Sequence, residues 1–525
     1  MRSRLYRLAP CALALCAALL SACGGAAAPS ATGNTAAQHA LAATSAPTAP
    51  MAFEAEAAPD VAAATAAEPT AAAAGAPAQI PVSPYVATTE DHLSTFALDV
   101  DTGSYTVARN AIRNGQLPSA HTVRVEEFVN YFRYGYPAPT DGAFGISLDA
   151  APSPFDQGGT QIVRVGLQGM TIDAGQRSDA ALTFVVDASG SMDRPNRLPL
   201  VQEALRLLTE QLRPTDQVAI VVFGSSSYVA LEPTTGGERD TIERAIDGLR
   251  IDGSTNLEEG MWQGYKLATD HFKVGGNNRV ILLTDGEANI GATTPDAILA
   301  RVRDYAAQDV YLSTVGFGMG DYNDALLEQL ADDGNGNYSY VDTREAAQRT
   351  FVENLTGTLQ VIAKDAKVQV DFNPQVVSRY RLLGYENRAV ADADFRNDRV
   401  DAGEVGAGHS VTALYEVTLT GQATGTAMTV RLRYADPRTG EVREQERALS
   451  TDAFGQSFAQ APASLQLATA AAAFAQYLRG DAQSGSAAGV RAIVERIAPQ
   501  LANDPDVQEL LDLVRAAESI GANPL

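Results

Sequence analysis

The run Ala181-Leu182-Thr183-Phe184-Val185-Val186-Asp187-Ala188-Ser189-Gly190-Ser191 decides the fold. Its first six residues are uncharged and rich in β-branched and aromatic side chains, which suits a strand buried on both faces. The small polar residues that follow suit a loop at the strand's carboxyl end. Beyond the loop, Leu198, Val201, Leu205, Leu208 and Leu212 recur at helical spacing along one face. Further apolar runs stand at 218–223, 280–284 and 310–315, and a last helix is expected to carry Phe351, Leu355 and Leu359. This alternation predicts an α/β domain over 179–360, a doubly wound and mostly parallel sheet with its site at the carboxyl ends of the strands.

Outside this block the pattern changes. After Val361 the apolar period drops towards two, as in Lys367-Val368-Gln369-Val370-Asp371-Phe372, and again over 411–419 and 428–434. An antiparallel β-rich domain is therefore expected over 361–450, flanking the α/β domain. Residues 162–167 read as a strand of that same sheet, which makes the α/β domain an insertion. A C-terminal helical region is expected over 451–525, with helices at 465–478, 488–497 and 507–517. The N-terminal region, 84–178, shows a short strand at 96–101 and helices at 104–114 and 125–132.

The first residues form an address. Arg2, Arg4 and Arg7 precede an apolar stretch, 8–20, that is too short to span a bilayer as a permanent helix. It ends in Leu20-Ser21-Ala22-Cys23, which resembles the lipobox of bacterial lipoproteins. The resemblance implies a signal peptide over 1–22 and acylation of Cys23. Gly24, which is not aspartate, favours the outer membrane under the enteric sorting rule, with the protein facing the periplasm. Residues 23–83 are rich in Ala, Pro, Thr and Gly and contain no Lys or Arg. Such a segment buries too little apolar surface to fold and is expected to act as a disordered tether, with a reach of roughly 40 Å as a flexible coil.

Composition narrows the chemistry. The chain has 525 residues and a net charge of -24, which repels phosphate backbones and argues against nucleic acid as a partner. Hydrophobic residues make up 45%, enough for a sizeable core. All three cysteines (Cys11, Cys16, Cys23) lie in the address, so the remainder has no thiol for a disulfide, a zinc-thiolate site or a cysteine nucleophile. The five histidines (His39, His92, His121, His271, His409) show no metal-ligand spacing.

Three elements, in order, carry the chemistry: Asp187-Ala188-Ser189-Gly190-Ser191, then Gly253-Ser254-Thr255, then Thr284-Asp285-Gly286. Together they resemble the von Willebrand factor type A family, whose metal-ion-dependent adhesion site uses Asp-x-Ser-x-Ser, a later Thr and a later Asp. The resemblance implies a metal site of Asp187, Ser189, Ser191, Thr255 and Asp285. In it the three hydroxyls bind a divalent ion (Mg2+ or Mn2+) directly, and the two carboxylates hold its waters. An ion whose nearest protein ligands are neutral stays short of negative charge and favours an anionic oxygen from outside, such as a partner's Asp or Glu. Each element also has a plainer reading. The serines suit backbone capping, Thr255-Asn256-Leu257-Glu258 fits a capping box, and Asp285-Gly286 is a common turn pair.

The flanks add to the resemblance. Asp99-Val100-Asp101-Thr102-Gly103-Ser104-Tyr105, with Glu126-Glu127-Phe128-Val129-Asn130-Tyr131-Phe132, resembles the N-terminal region of a group of bacterial type A domain lipoproteins. Leu383-Gly384-Tyr385-Glu386-Asn387-Arg388 and Gly406-Ala407-Gly408-His409 resemble their C-terminal domain of unknown function. Asp101-Thr102-Gly103-Ser104 also spells the aspartic-protease motif, but that chemistry needs a second copy, which the chain lacks. The expectation is therefore a non-enzymatic, lipid-tethered protein-binding module of the cell envelope. The alternatives are an envelope scaffold with a purely structural metal, or a hydrolase of the aspartic-protease kind. In some relatives of the family the domain's last helix slides when the metal takes a ligand, and the helix with Phe351 and Leu355 is the candidate for such a movement here.

Overall fold

The computed structural model describes residues 82–522, apart from 157, 174, 288–294, 319–323, 401, 422–423 and 482–484. The expected signal peptide, Cys23 and the tether up to residue 81 lie outside the described residues.

Ala180–Asp187 is a central strand of a six-stranded sheet. The order across the sheet is Tyr338–Val341, Val310–Phe317, Asn277–Thr284, Ala180–Asp187, Gln217–Phe223, Ser227–Thr235. All neighbours pair in parallel except the last two, which form an antiparallel hairpin. Side chains alternate between the two faces, and helices bury both. Leu182, Phe184 and Val186 pack with Val201, Leu205 and Leu208 of helix Leu198–Gln211. On the other face Val185 packs with Leu257, Met261 and Tyr265 of helix Leu257–Asp270. The chain first builds outward on one side of Ala180–Asp187, then returns to build the other side from Asn277–Thr284. Connections diverge at that reversal and leave a crevice at the strands' carboxyl ends. Asp187 ends one of these two strands, and Asp285 follows the other.

The edge strand Ser227–Thr235 is not evident from the sequence. It carries Pro233, which an edge tolerates because one side of the strand has no ladder to complete. The expected last helix is divided: Arg344–Gln348, a π-helical turn at Arg349–Glu353, and Leu355–Leu359, which runs straight into strand Val361–Phe372.

The remaining strands make two antiparallel sheets. One runs Val86–Ala87, Val377–Leu383, Ser410–Leu419, Thr160–Gly169, Phe144–Pro152. The other runs Val405–Gly406, Val361–Phe372, Thr426–Ala435, Val442–Ser450, with Leu93–Ala97 also paired to Val361–Phe372. Val163, Val165 and Tyr415 from the first share a core with Val368, Val370 and Val430 from the second. Strands from before and after the α/β domain thus share one sandwich, and the α/β domain is inserted between them. The short strand expected at 96–101 begins earlier and stops at Ala97, freeing the next residues to carry Asp99 and Asp101 into a turn.

Helices Gly103–Arg113 and Val125–Asn130 pack on Ala463–Arg479, Ala487–Ile497 and Pro505–Ala522. Nearly every alanine of Ala463–Arg479 is buried, and these small side chains let neighbouring backbones approach closely. Arg349 of the π-helical turn ties the α/β domain to this bundle, donating to both carboxylate oxygens of Asp506 at 2.5 Å. No described helix is long and apolar enough to cross a membrane.

Candidate functional site

Asp187 leaves its strand fully buried. Its Oδ1 accepts the Ser189 backbone N–H at 2.9 Å, which bends the chain, and its Oδ2 accepts the Thr284 hydroxyl at 2.7 Å. Burial pushes the Asp187 carboxyl up, against these hydrogen bonds, which pull it down. The bend places the Ser189 and Ser191 hydroxyls 2.9 Å apart. Ser189 precedes the short 3-10 turn Gly190–Met192 without capping it through its side chain, so the plain capping role does not account for it.

The loop that carries Thr255 is stitched to the serine loop by backbone alone. Gly190 donates its N–H to the Gly253 carbonyl at 2.7 Å, and Asp252 donates to the Ala188 carbonyl at 2.6 Å. Ser225, after the neighbouring strand, donates to the Asp252 carbonyl at 2.7 Å. Gly253 has φ +73, and a β-carbon there would run into the Ser225 hydroxyl. Thr255 is partly exposed, two residues past this junction. It is not the helix cap that the capping-box reading makes it. Asn256 caps Leu257–Asp270, accepting the Glu259 N–H at 3.3 Å.

Asp285 follows the neighbouring strand Asn277–Thr284 and is buried. Its Oδ1 accepts the Glu287 backbone N–H at 3.0 Å, and Gly286 has φ +74, so the turn reading holds for this oxygen. Its Oδ2 accepts a hydrogen bond from Arg197 Nη1 at 2.5 Å. Arg197 went unnoticed in the sequence. A signal was there: Arg197, Val201 and Leu205 share a helical period, so an arginine continues the buried stripe of Leu198–Gln211 by one turn.

The structure thus brings Asp187, Ser189, Ser191 and Asp285 to one crevice, and it joins the Thr255 loop to it. The donor set suits a hard cation. Neighbouring ligands of an octahedral magnesium bound at 2.0–2.1 Å lie about 2.9 Å apart. The two serine hydroxyls hydrogen-bond to each other at 2.9 Å, a separation that two neighbouring ligands of one ion would also have. Among the described residues no group of three His, Cys, Asp or Glu side chains could hold a metal.

The other singled-out motifs meet elsewhere. Asp101 Oδ1 accepts the Tyr338 backbone N–H at 2.9 Å. Arg388 lies 2.7 Å from Asp332, 3.4 Å from Asp99 and 3.6 Å from Asp101. Asn130 donates to the Asp99 carbonyl at 3.1 Å and accepts the Thr412 N–H at 2.8 Å. Burial, then the Asp99 and Asp332 charges, holds the Asp101 carboxyl well above its usual range. Burial likewise pushes Asp332 up to about 6. The flanking motifs form a buried ionic joint between the sandwich, the bundle and the α/β domain.

Comparison with known proteins agrees with this architecture. Residues 181–358 match the family described as the von Willebrand factor type A domain. Residues 77–164 match one described as von Willebrand factor, and residues 357–520 one described as the C-terminal part of the uncharacterized protein YfbK. The chain is 40% identical over 361 residues to the uncharacterized protein YfbK of Escherichia coli K12, covering 67% of this chain and 62% of that protein. It is 28% identical over 217 residues to the uncharacterized protein sll0103 of Synechocystis, covering 41% of this chain and 50% of that protein. The chain therefore matches less than two thirds of the length of either relative. A von Willebrand factor type A structure from Catenulispora acidiphila aligns over 72% of this chain and 91% of that one, at 16% identity and a TM-score of 0.43.

Proposed function

Because the chain is a von Willebrand factor type A domain protein with a YfbK-type C-terminal domain, we propose that it is a lipid-tethered, metal-dependent protein-binding module of the bacterial cell envelope. The observation that carries this reading is the Ser189–Ser191 hydroxyl pair, 2.9 Å apart at the sheet's reversal point, between two buried carboxylates. Ser189, Ser191 and Thr255 would hold a Mg2+ or Mn2+ ion, with Asp187 and Asp285 behind them. When bound, the ion supplies a Lewis-acidic coordination position for an Asp or Glu carboxylate of a partner protein. The chain's own part is to hold the hydroxyls: Thr284 fixes Asp187, Asp187 fixes the Ser189 backbone, and Gly253 fixes the Gly190 backbone.

Two features support binding over hydrolysis. Glu287, the candidate base beside Asp285, is paired with Arg197 at 2.9 Å. Asp101 of the protease-like motif is buried and bonded to the Tyr338 backbone. A metal serving only as a stiffener is less favoured, because backbone hydrogen bonds already join the serine and threonine loops.

Calorimetric titration of the purified chain with MgCl2 or MnCl2 should reveal one site, abolished in Asp187→Ala. No binding by the parent chain overturns the reading. Capture of a partner that survives Ser189→Ala combined with Ser191→Ala would favour the scaffold instead. For the anchor, labelled fatty acid should enter the chain in cells and be lost in Cys23→Ser, with the acylated protein in the outer membrane, facing the periplasm.

A further inference from the structure

We propose that Arg197 determines the ligand specificity of this site: it holds the Asp285 carboxylate in an ion pair and so leaves a bound cation's charge for a visiting carboxylate. The inference rests on the metal-binding reading above.

Arg197 is 2% exposed, and each of its side-chain nitrogens donates within the crevice. Nη1 reaches Asp285 Oδ2 at 2.5 Å and the Ser191 carbonyl at 2.8 Å. Nη2 reaches Glu287 Oε1 at 2.9 Å, and Nε the Gly318 carbonyl at 3.2 Å. Since Asp285 Oδ1 already accepts the Glu287 N–H, both oxygens of Asp285 are engaged by the protein itself.

The arrangement is fixed rather than competitive. A guanidinium that swung away would leave two backbone carbonyls and a buried carboxylate without their donor, a heavy cost. A lysine could not replace it, because one ammonium cannot span four acceptors in a planar fork. The consequence is one of charge. Of the two buried carboxylates beside the site, Asp187 has only neutral donors on it, whereas Asp285 is neutralised by Arg197. Glu287 is 46% exposed at its side chain, where solvent screens it. A divalent ion in the crevice therefore keeps an excess of positive charge, which a carboxylate from outside can satisfy. Without Arg197, Asp285 itself would take that role.

The test is linkage between Mn2+ and acetate, the latter as a carboxylate probe. Parent chain, Arg197→Met and Arg197→Gln are titrated calorimetrically with MnCl2, with and without acetate. In the parent, acetate should tighten Mn2+ binding. In Arg197→Met, Mn2+ alone should bind about tenfold tighter and the acetate effect should vanish, because the freed Asp285 acts as the internal anion. Arg197→Gln keeps a donor but drops the charge, and should shift both quantities in the same direction. It decides the matter if Arg197→Met fails to fold. Unchanged or weaker Mn2+ affinity, with acetate coupling like the parent's, overturns the inference. A parent chain that binds no Mn2+ sinks the metal reading itself, and this inference with it.

Discussion

The backbone N–H of Tyr385 donates to Glu126 Oε2 at 3.0 Å, while Oε1 of the same carboxyl is buried without a hydrogen-bond partner. Burial, aided by the nearby Glu386, Asp99 and Glu127 charges, pushes this carboxyl up to about 8, against an ordinary 4.5. The folded chain therefore binds a proton here that the unfolded chain has released over the window from about 4.5 to 8. Stability from this group is present at the acidic end of that window and is lost as pH rises through it. Thermal unfolding should show Glu126→Gln more stable than the parent at pH 8, with the gap closing towards pH 5. Parallel curves for the two proteins would refute the burial account.

Thr284 donates to Asp187 Oδ2 and accepts the Gly286 backbone N–H at 3.2 Å, so one hydroxyl links both carboxylate-bearing loops. Thr284→Val keeps the strand's shape and removes the link. Hydrogen bonds to charged groups contribute roughly 1.5–3 kcal/mol, so Mn2+ affinity should fall by at least about tenfold. Calorimetry checks this, and an unaltered affinity would mean that Asp187 needs no positioning.

Gly253 combines a positive φ with contact against Ser225, whereas Gly248 ends helix Arg239–Gly248 with open space around it. Gly253→Ala should cost about 1–2 kcal/mol in denaturant unfolding, from backbone strain plus displacement of Ser225. Gly248→Ala should be neutral or slightly stabilising. Equal effects at the two positions would remove the case for a fitted loop junction.

Arg349 binds Asp506 and lies 4.3 Å from the centroid of the Tyr131 ring, clamping the π-helical turn to the bundle. Arg349→Ala should speed amide exchange across Arg349–Glu353 and lower the melting temperature by a few degrees, on the order of 1–2 kcal/mol for a partly buried cation–π contact and ion pair. If the last helix slides on ligand binding, Mn2+ with acetate should change exchange in this segment of the parent. No change would leave the clamp as a purely static strut.

Much of the α/β domain was legible from local pattern. Runs such as 181–186 are apolar without interruption because both faces of a parallel strand are buried, and helix Leu198–Gln211 shows its face at a period the eye can follow. The order Asp-x-Ser-x-Ser, Thr, Asp was sufficient to nominate the crevice, since each element follows a strand or opens a helix. Harder cases were Val442–Ser450, mostly exposed and charged, and Val377–Leu383, whose arginines break any alternation. Neither has the uninterrupted apolar character that marks a doubly buried strand.

By itself, then, the order of residues determined which segments could bury themselves and which side chains had the chemistry to meet, because periodicity and side-chain type are local properties. Only the tertiary structure decided who meets whom. Leu93–Ala97 pairs with Val361–Phe372, Asn256 takes the cap that Thr255 was suited for, and Arg197 rather than solvent faces Asp285. Those outcomes depend on distances between parts of the chain that lie far apart in sequence, and packing, with the satisfaction of buried charges, selects among them.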